Sequence, residues 1–379
     1  MKYLAVLGRQ PEISIAELEL SDFCTDINRL GGTQKLAVLL DEKPLDYLAK
    51  LPEGKITIGV SDYSRKASKK TATMEALKLK KILVRHGRSV RVVENKDAVL
   101  STATSLHNGL SGKNERKVEL IKSNDDWYRV IGVQDIDAYA KRDQARPARD
   151  ARVGMLPPKL AQILINLCGP LKAGSMILDP FCGTGVVLQE AMLMGYRAYG
   201  TDLSERMINY TKRNLDWLLG SENIQSEGIR SAAARGVARE PRGDGSERRG
   251  PRMDNYRAAV GDATSFKWNQ PIDAVACEGY LGKPFSQMPT EMALREQKQE
   301  CGSIILGFLK NLGGQIKKDT PVVIAAPAWL REGNIYERLD ILDEIEKLGY
   351  NVNNKSREGL LYHRPEQIVA RDIIILRKR

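Results

Sequence analysis

ILDPFCGTGVVLQEA, residues Ile177 to Ala191, sets the reading of this chain. An apolar run ends in Asp179, a turn with two glycines follows, and apolar residues then return at helical spacing. A strand, a tight turn and a helix in that order make the first unit of a doubly wound α/β sheet. Glycines in such a turn let a ligand approach the backbone, and the helix N-terminus offers free N–H groups. The turn reads Asp179-Pro180-Phe181-Cys182-Gly183-Thr184-Gly185. It is not the GxGxxG dinucleotide fingerprint, and no Gly-Lys-Ser or Gly-Lys-Thr follows as a phosphate loop requires. An aspartate at the strand end repels a pyrophosphate and suits a cationic or amine-bearing ligand.

Downstream, strands and helices alternate. RAYGTD (197–202), YRAAVGD (256–262), IDAVAC (272–277), PVVIAA (321–326) and ARDIIILRK (370–378) read as strands. Residues 185–194, 204–219, 291–312 and 335–348 read as helices. Upstream, Pro157-Pro158 opens a helix that continues from Leu160 to Leu167. The polar stretch 141–156, broken by Pro147, reads as a linker. Before it, KYLAVL (2–7), a helix over 14–24 and QKLAVLLD (34–41) predict a small α+β unit over 1–50. KITIGVSDY (55–63), a helix over 72–86, SVRVVE (89–94), a helix over 97–110 and a hairpin across 117–136 predict a second unit over 51–140. The helix over 72–86 is expected to bury Met74, Leu77, Ile82 and Leu83 on one face. Residues 221–255 are rich in Gly, Arg, Ser and Glu and poor in apolar residues, which predicts a mobile insertion.

A chain of 379 residues, 42% hydrophobic, is long enough for two or three domains with sizeable cores. Its net charge of +11 favours a polyanionic partner, nucleic acid before an anionic membrane surface. Five cysteines, none spaced as CxxC, argue against a disulfide framework and a structural zinc site. That pattern fits a reducing cytosol. The N-terminal apolar run meets Arg9 and Glu12 too early for a signal peptide. No apolar stretch approaches the ~18 residues of a membrane span. A soluble, cytoplasmic protein is expected. His86, His107 and His363 are scattered and show no metal spacing.

S-adenosyl-L-methionine (SAM) carries an amino group and a sulfonium, so it answers the demand for a cationic ligand. The next strand should then end in an acid for the ribose hydroxyls. YGTDLS supplies Asp202. The third strand ends in Gly261-Asp262-Ala263, where an acid can accept a hydrogen bond from the adenine amino group. One strand-end aspartate is commonly a helix cap. Three at successive strand ends point to one ligand.

DPFCGTG resembles motif I of class I SAM-dependent methyltransferases, in the form found in amino-methyltransferases of nucleic acids. RDQARPARDARVGMLPPKLAQILINL (142–167) resembles the segment before motif I in tRNA guanosine N2-methyltransferases, the archaeal and eukaryotic enzymes of tRNA position ten. MKYLAVLGRQPEISIAELE (1–19) and LSTATSLHNGL (100–110) resemble the same family. The resemblance covers nearly the whole chain outside 221–255. It implies a ferredoxin-like domain (1–50), a THUMP domain (51–140), a linker (141–156) and a Rossmann-like methyltransferase domain (157–379). It also implies SAM bound by Pro157, Asp179, Pro180, Phe181, Cys182, Gly183, Thr184, Gly185, Asp202, Leu203, Asp262 and Ala263, with no metal.

In that family the fourth strand ends in an Asp-Pro-Pro-Tyr-like motif. An exocyclic base amine is a poor nucleophile, because its lone pair is delocalised into the ring. A carboxylate and a backbone carbonyl accept hydrogen bonds from the amine as it gains charge, and the aromatic ring stacks on the flipped base. Here AVACEGYLGKP (274–284) places Cys277-Glu278-Gly279-Tyr280 at that position. Tyr280 aligns with the aromatic, and Glu278 is the available carboxylate. It sits one residue closer to the ring, and its longer side chain offsets the shorter spacing. Gly279 forgoes the rigidity of a proline. Cys182 and Cys277 are read as structural.

From Arg65 to Arg91, ten Lys or Arg residues face Glu75 alone. Such a run is usually a solvated face. In a module resembling THUMP, Lys69, Lys70, Lys80, Lys81, Arg85 and Arg88 are expected to meet tRNA phosphates. tRNA is therefore the expected partner. Some members of the family need a small zinc-binding activator subunit, and neither that need nor an oligomeric state is written in these residues. Three alternatives stand: an rRNA guanine-N2 methyltransferase, a DNA adenine-N6 methyltransferase, and a catalytically silent SAM- and RNA-binding protein.

Overall fold

The computed structural model describes residues 1–21, 26–150, 155–220, 255–285, 287–354, 359–365 and 367–379. The insertion expected over 221–255 therefore lies, apart from Asn255, outside the described residues, as does Cys24. The chain divides into two compact units. One comprises Met1–Pro11 and Phe23–Tyr139, the other Glu12–Asp22 and Ala140–Arg379.

The first unit begins with β1 (Tyr3–Leu7) and continues, after α1 (Pro11–Leu20), with β2 (Thr33–Leu39), α2 (Pro44–Ala49) and β3 (Ile56–Asp62). Then come α3 (Lys69–Arg85), β4 (Val90–Val92), α4 (Thr102–His107), β5 (Lys117–Ser123), β6 (Asp126–Val133) and α5 (Ile136–Gln144). The strands form one sheet in the order β1-β2-β6-β5-β3-β4. Residues expected to fold as separate modules, 1–50 and 51–140, thus share a sheet. The reason lies in β2, which is largely buried on both faces and is hydrogen-bonded on both edges, by β1 and by β6.

Three further expectations are corrected in this unit. The buried stripe of α3 is Ala72, Ala76, Leu79 and Leu83, while Met74 and Leu77 are 59% and 51% exposed. Two apolar stripes compete on this helix, and the one with alanines lets the helix lie closer to β3. The helix expected over 97–110 is only Thr102–His107, started by Ser101, whose Oγ accepts the Thr104 N–H at 3.1 Å. The expected linker is helical at its start, because α5 runs through Gln144.

The second unit contains α1 and α6 (Pro158–Leu167), β7 (Met176–Asp179), α7 (Val186–Leu193), β8 (Arg197–Asp202), α8 (Glu205–Gly220), β9 (Tyr256–Val260) and β10 (Ala274–Glu278). It ends with α9 (Glu291–Gly313), β11 (Pro321–Arg331), β12 (Ile335–Arg338), α10 (Leu342–Lys347), β13 (Tyr350–Val352), β14 (Leu361–Tyr362) and β15 (Val369–Lys378). The main strand order is β13-β15-β11-β10-β7-β8-β9. From β11 to β9 the pairs are parallel, and β15 is antiparallel to both of its neighbours in that order. Residues of α1, α6, α7 and α8 pack on one face, and residues of α9 and α10 on the other. With both faces covered, the central strands β7 and β10 are apolar up to their terminal carboxylates. The helix expected over 335–348 is instead β12 followed by α10. Gly333 (φ 78°) and Asn334 (φ 59°) turn the chain so that β12 folds back on β11.

The strand order reverses between β7 and β10, and in open α/β sheets the ligand crevice lies at the carboxyl ends of such a pair. Among the described residues no helix is long and apolar enough to cross a membrane. The four described cysteines, Cys168, Cys182, Cys277 and Cys301, are buried thiols.

Candidate active site at the strand-order reversal

Asp179 ends β7, Asp202 ends β8 and Glu278 ends β10. The three carboxylates therefore gather at the carboxyl end of the parallel strands. Asp179 is 3% exposed, and its Oδ1 accepts the Phe181 N–H at 3.1 Å. Burial pushes its pKa well above the usual carboxylate range, and the charges of Asp202 and Glu278 push it further. Asp202 accepts the Gly183 N–H at Oδ2 and the Ser204 N–H at Oδ1, both at 2.9 Å. Burial raises its pKa too, against those two bonds. This concentration of negative charge is complementary to a cation.

The turn between β7 and α7 leaves room for one. Gly183 (φ 52°) and Gly185 (φ 83°) adopt left-handed conformations that glycine favours. A Cβ on Gly183 would meet only the Phe181 carbonyl oxygen, at 4.0 Å, so the backbone there is uncovered. A Cβ on Gly185 would press on Thr211 at 2.9 Å, which explains the second glycine by packing. Cys182 is buried with its Sγ 3.7 Å from Thr211 Oγ1, and burial raises its pKa well above the usual thiol value. Thr184 is buried as well, and its carbonyl accepts from Asn214 Nδ2 at 2.9 Å. Phe181 packs edge-on against Phe308, with ring centroids 5.4 Å apart. Beside Asp202, Leu203 is 76% exposed, an apolar surface next to the acid.

Asp262 and Ala263 follow β9 and lie next to Asp202, since the Gly261 N–H donates to the Asp202 carbonyl at 3.0 Å. Asp262 Oδ1 accepts from Thr264 N–H (2.9 Å) and Oγ1–H (2.7 Å), and these bonds lower its pKa. Pro157 caps α6, and its carbonyl accepts the Ala161 N–H. A groove of about 790 Å³ runs along β9, lined by Tyr199, Lys212, Tyr256 and Phe266 among others, and holds none of the site residues named above.

Glu278 and Tyr280 part company. Glu278 Oε1 accepts from Arg371 Nε at 2.7 Å. Tyr280 packs against the α9-side core, where burial raises its pKa and the charge of Glu300 on α9 raises it further. The ring is thus braced by protein on one side. Gly279 N–H donates to the Ala325 carbonyl at 3.0 Å. A Cβ at Gly279 would meet Ile324 at 3.4 Å, an ordinary contact, so the glycine is not demanded by space.

Three contributors, Asn214, Arg142 and Arg371, were not signalled by the sequence. Asn214 of α8 accepts the Ala148 N–H and donates to the carbonyls of Ala148 and Thr184, each at 2.9 Å, which ties the expected linker to the glycine turn. Arg142 adds a two-pronged bond to Glu190 of α7 at 2.6 and 3.1 Å. The third, Arg371, carries no local signal at all.

In the first unit, Lys69, Lys70, Lys81 and Arg85 are exposed on α3, and Lys80 is half-buried. Lys69 lies 3.9 Å from Glu94. Arg88 differs from the free phosphate-binding cation expected, because its Nη2 donates to the Leu51 and Pro52 carbonyls at 3.1 and 2.7 Å.

Part of this chain is similar to known proteins. Residues 146–234 match the family model described as UPF0020: RMKL-like, methyltransferase domain. This methyltransferase-domain match holds the glycine turn, Asp202 and Asn214, while Glu278 and Arg371 lie beyond it. A tRNA (guanine(10)-N2)-dimethyltransferase of Methanothermobacter thermautotrophicus is 51% identical over 75 residues, 19% of this chain and 22% of that protein. The similarly described protein of Methanocaldococcus jannaschii is 28% identical over 185 residues, 47% of this chain and 52% of that protein. The chain thus spans about half or less of the length of these relatives. Among solved structures, TrmN from Thermus thermophilus aligns over 92% of this chain and 84% of that one, at 18% identity and a TM-score of 0.40.

Proposed function

We propose that this chain is a SAM-dependent methyltransferase acting on the exocyclic N2 amine of a guanine in tRNA, at position ten as in the relatives' names. The observation that carries the reading is the gathering of Asp179, Asp202 and Glu278 around an uncovered glycine turn where the strand order reverses.

The residues present fit SAM. The buried Asp179 suits its ammonium group, and Asp202, with two N–H bonds holding it still, suits the ribose hydroxyls. Leu203 and Asp262 suit the face and the amino group of adenine. When bound, SAM supplies a methyl group on a positively charged sulfur, which departs as a neutral thioether when the methyl carbon is taken. Glu278 Oε2 accepts a hydrogen bond from the guanine amine, so positive charge building on nitrogen is met by a carboxylate. The amine proton then passes to solvent. Tyr280, packed against the α9-side core, provides the ring beside the base. The exposed cations of α3 hold tRNA through its phosphates.

The test incubates the protein with methyl-labelled SAM and unmodified tRNA transcripts, followed by nucleoside analysis. N2-methylguanosine or N2,N2-dimethylguanosine is expected. Glu278→Ala should lose roughly a hundredfold or more in rate while SAM binding stays near wild type. Bound SAM with no label in tRNA would sink the substrate assignment. Undiminished turnover by Glu278→Ala would remove that residue from the mechanism.

A further inference from the structure

Glu278 is reached by a cation from two strands away. Glu278 on β10 lies in register with Ala325 of β11, and Ala325 with Ile373 of β15. Arg371, two residues before Ile373, lies opposite Pro327. Residues two apart on a strand share a face, so Glu278, Ala325, Pro327 and Arg371 all point the same way. Adjacent strands lie ~4.8 Å apart, so the guanidinium crosses about twice that distance. It does so over Ala325 and Pro327, which place no long side chain in its path. Arg371 Nε donates to Glu278 Oε1 at 2.7 Å, with the arginine side chain 6% exposed and the glutamate 15%. Among the described residues, Glu278 Oε2 accepts no hydrogen bond from the protein.

We propose that Arg371 is a positioning residue that holds Glu278 by one oxygen and leaves the other aimed at the amine of the target base. This rests on the reading of Glu278 given above. A glutamate followed by glycine has more freedom than a short carboxylate followed by proline, and the ion pair removes that freedom. The charged groups that face Glu278 are Arg371 from β15 and Asp179 from β7, while Cys277, next to it on its own strand, points to the opposite face and only feels its charge. Burial raises the Glu278 pKa, and Arg371 opposes that rise. Without Arg371, the carboxyl should take up its proton at a higher pH.

The experiment compares full-length wild type, Arg371→Met and Arg371→Lys. Arg371→Met should lower kcat on tRNA about tenfold or more, with KM and SAM Kd within about twofold. The acid limb of its rate–pH profile should move to higher pH. Arg371→Lys should recover part of the rate and return the limb toward wild type. Independently of activity, the 13C titration of the Glu278 carboxyl, assigned by Glu278→Gln, should move to higher pH in Arg371→Met. An unshifted titration and an unshifted acid limb overturn the proposal, even if kcat falls through lost stability. An inactive Glu278→Ala beside a fully active Arg371→Met overturns this inference alone, whereas an active Glu278→Ala overturns the role of Glu278 itself.

Discussion

Asp179 carries the heaviest electrostatic load in the site, being buried with Asp202 and Glu278 near it. A carboxyl whose folded pKa lies above its unfolded value binds its proton more tightly when folded. Stability is then greatest at low pH and falls as pH rises from the ordinary carboxylate range to the raised value. A bound cation favours the ionised form, so SAM affinity should rise with pH across the same window. Asp179→Asn removes the charge and keeps an oxygen for the Phe181 N–H. It should raise the Tm of the free protein at neutral pH and weaken SAM binding roughly tenfold or more. Thermal melts and calorimetry check both, and a lower Tm would refute the electrostatic account. At this scale the strand-end acids and the turn glycines were legible, because each sits within a few residues of the pattern that reveals it. Arg371 was not, since it meets Glu278 across 93 positions of sequence.

Among the elements, α3 and the β11–β12 hairpin teach the same lesson. Both segments have apolar residues at helical spacing, and the surroundings choose among the options. In α3, the stripe with Ala72 and Ala76 faces the sheet and leaves Met74 and Leu77 in water. Leu83→Ala should therefore cost about 2–4 kcal/mol, whereas Met74→Ala should stay within about 0.5 kcal/mol. Urea denaturation separates the two, and equal losses would mean that the buried face is misassigned. In the hairpin, two left-handed residues, Gly333 and Asn334, reverse the chain before a helix can start. The expected linker is likewise decided by contacts, with Arg142 bound to Glu190 and Ala148 bound to Asn214.

For the whole molecule, the net charge of +11 frames the partner, and the exposed cations of α3 are where the first unit would meet it. Changing Lys69, Lys70, Lys80 and Lys81 to Glu should weaken tRNA binding and flatten its dependence on salt, since fewer counterions are then released. Filter binding across a salt series reads both quantities, and an unchanged slope would take this surface out of the interface. The doubly wound class, the glycine turn and the strand-end Asp179 and Asp202 are legible in the chain, because strand and helix periods and tight turns are written in neighbouring residues, whereas the third expected strand stops at Val260, two residues short of Asp262. That residues 1–50 and 51–140 share one sheet, that Glu278 is held by Arg371 and that Tyr280 packs on the α9-side core emerges only from the folded arrangement. Those outcomes depend on which strands become neighbours and which small side chains leave a path between them, and a linear pattern does not record either.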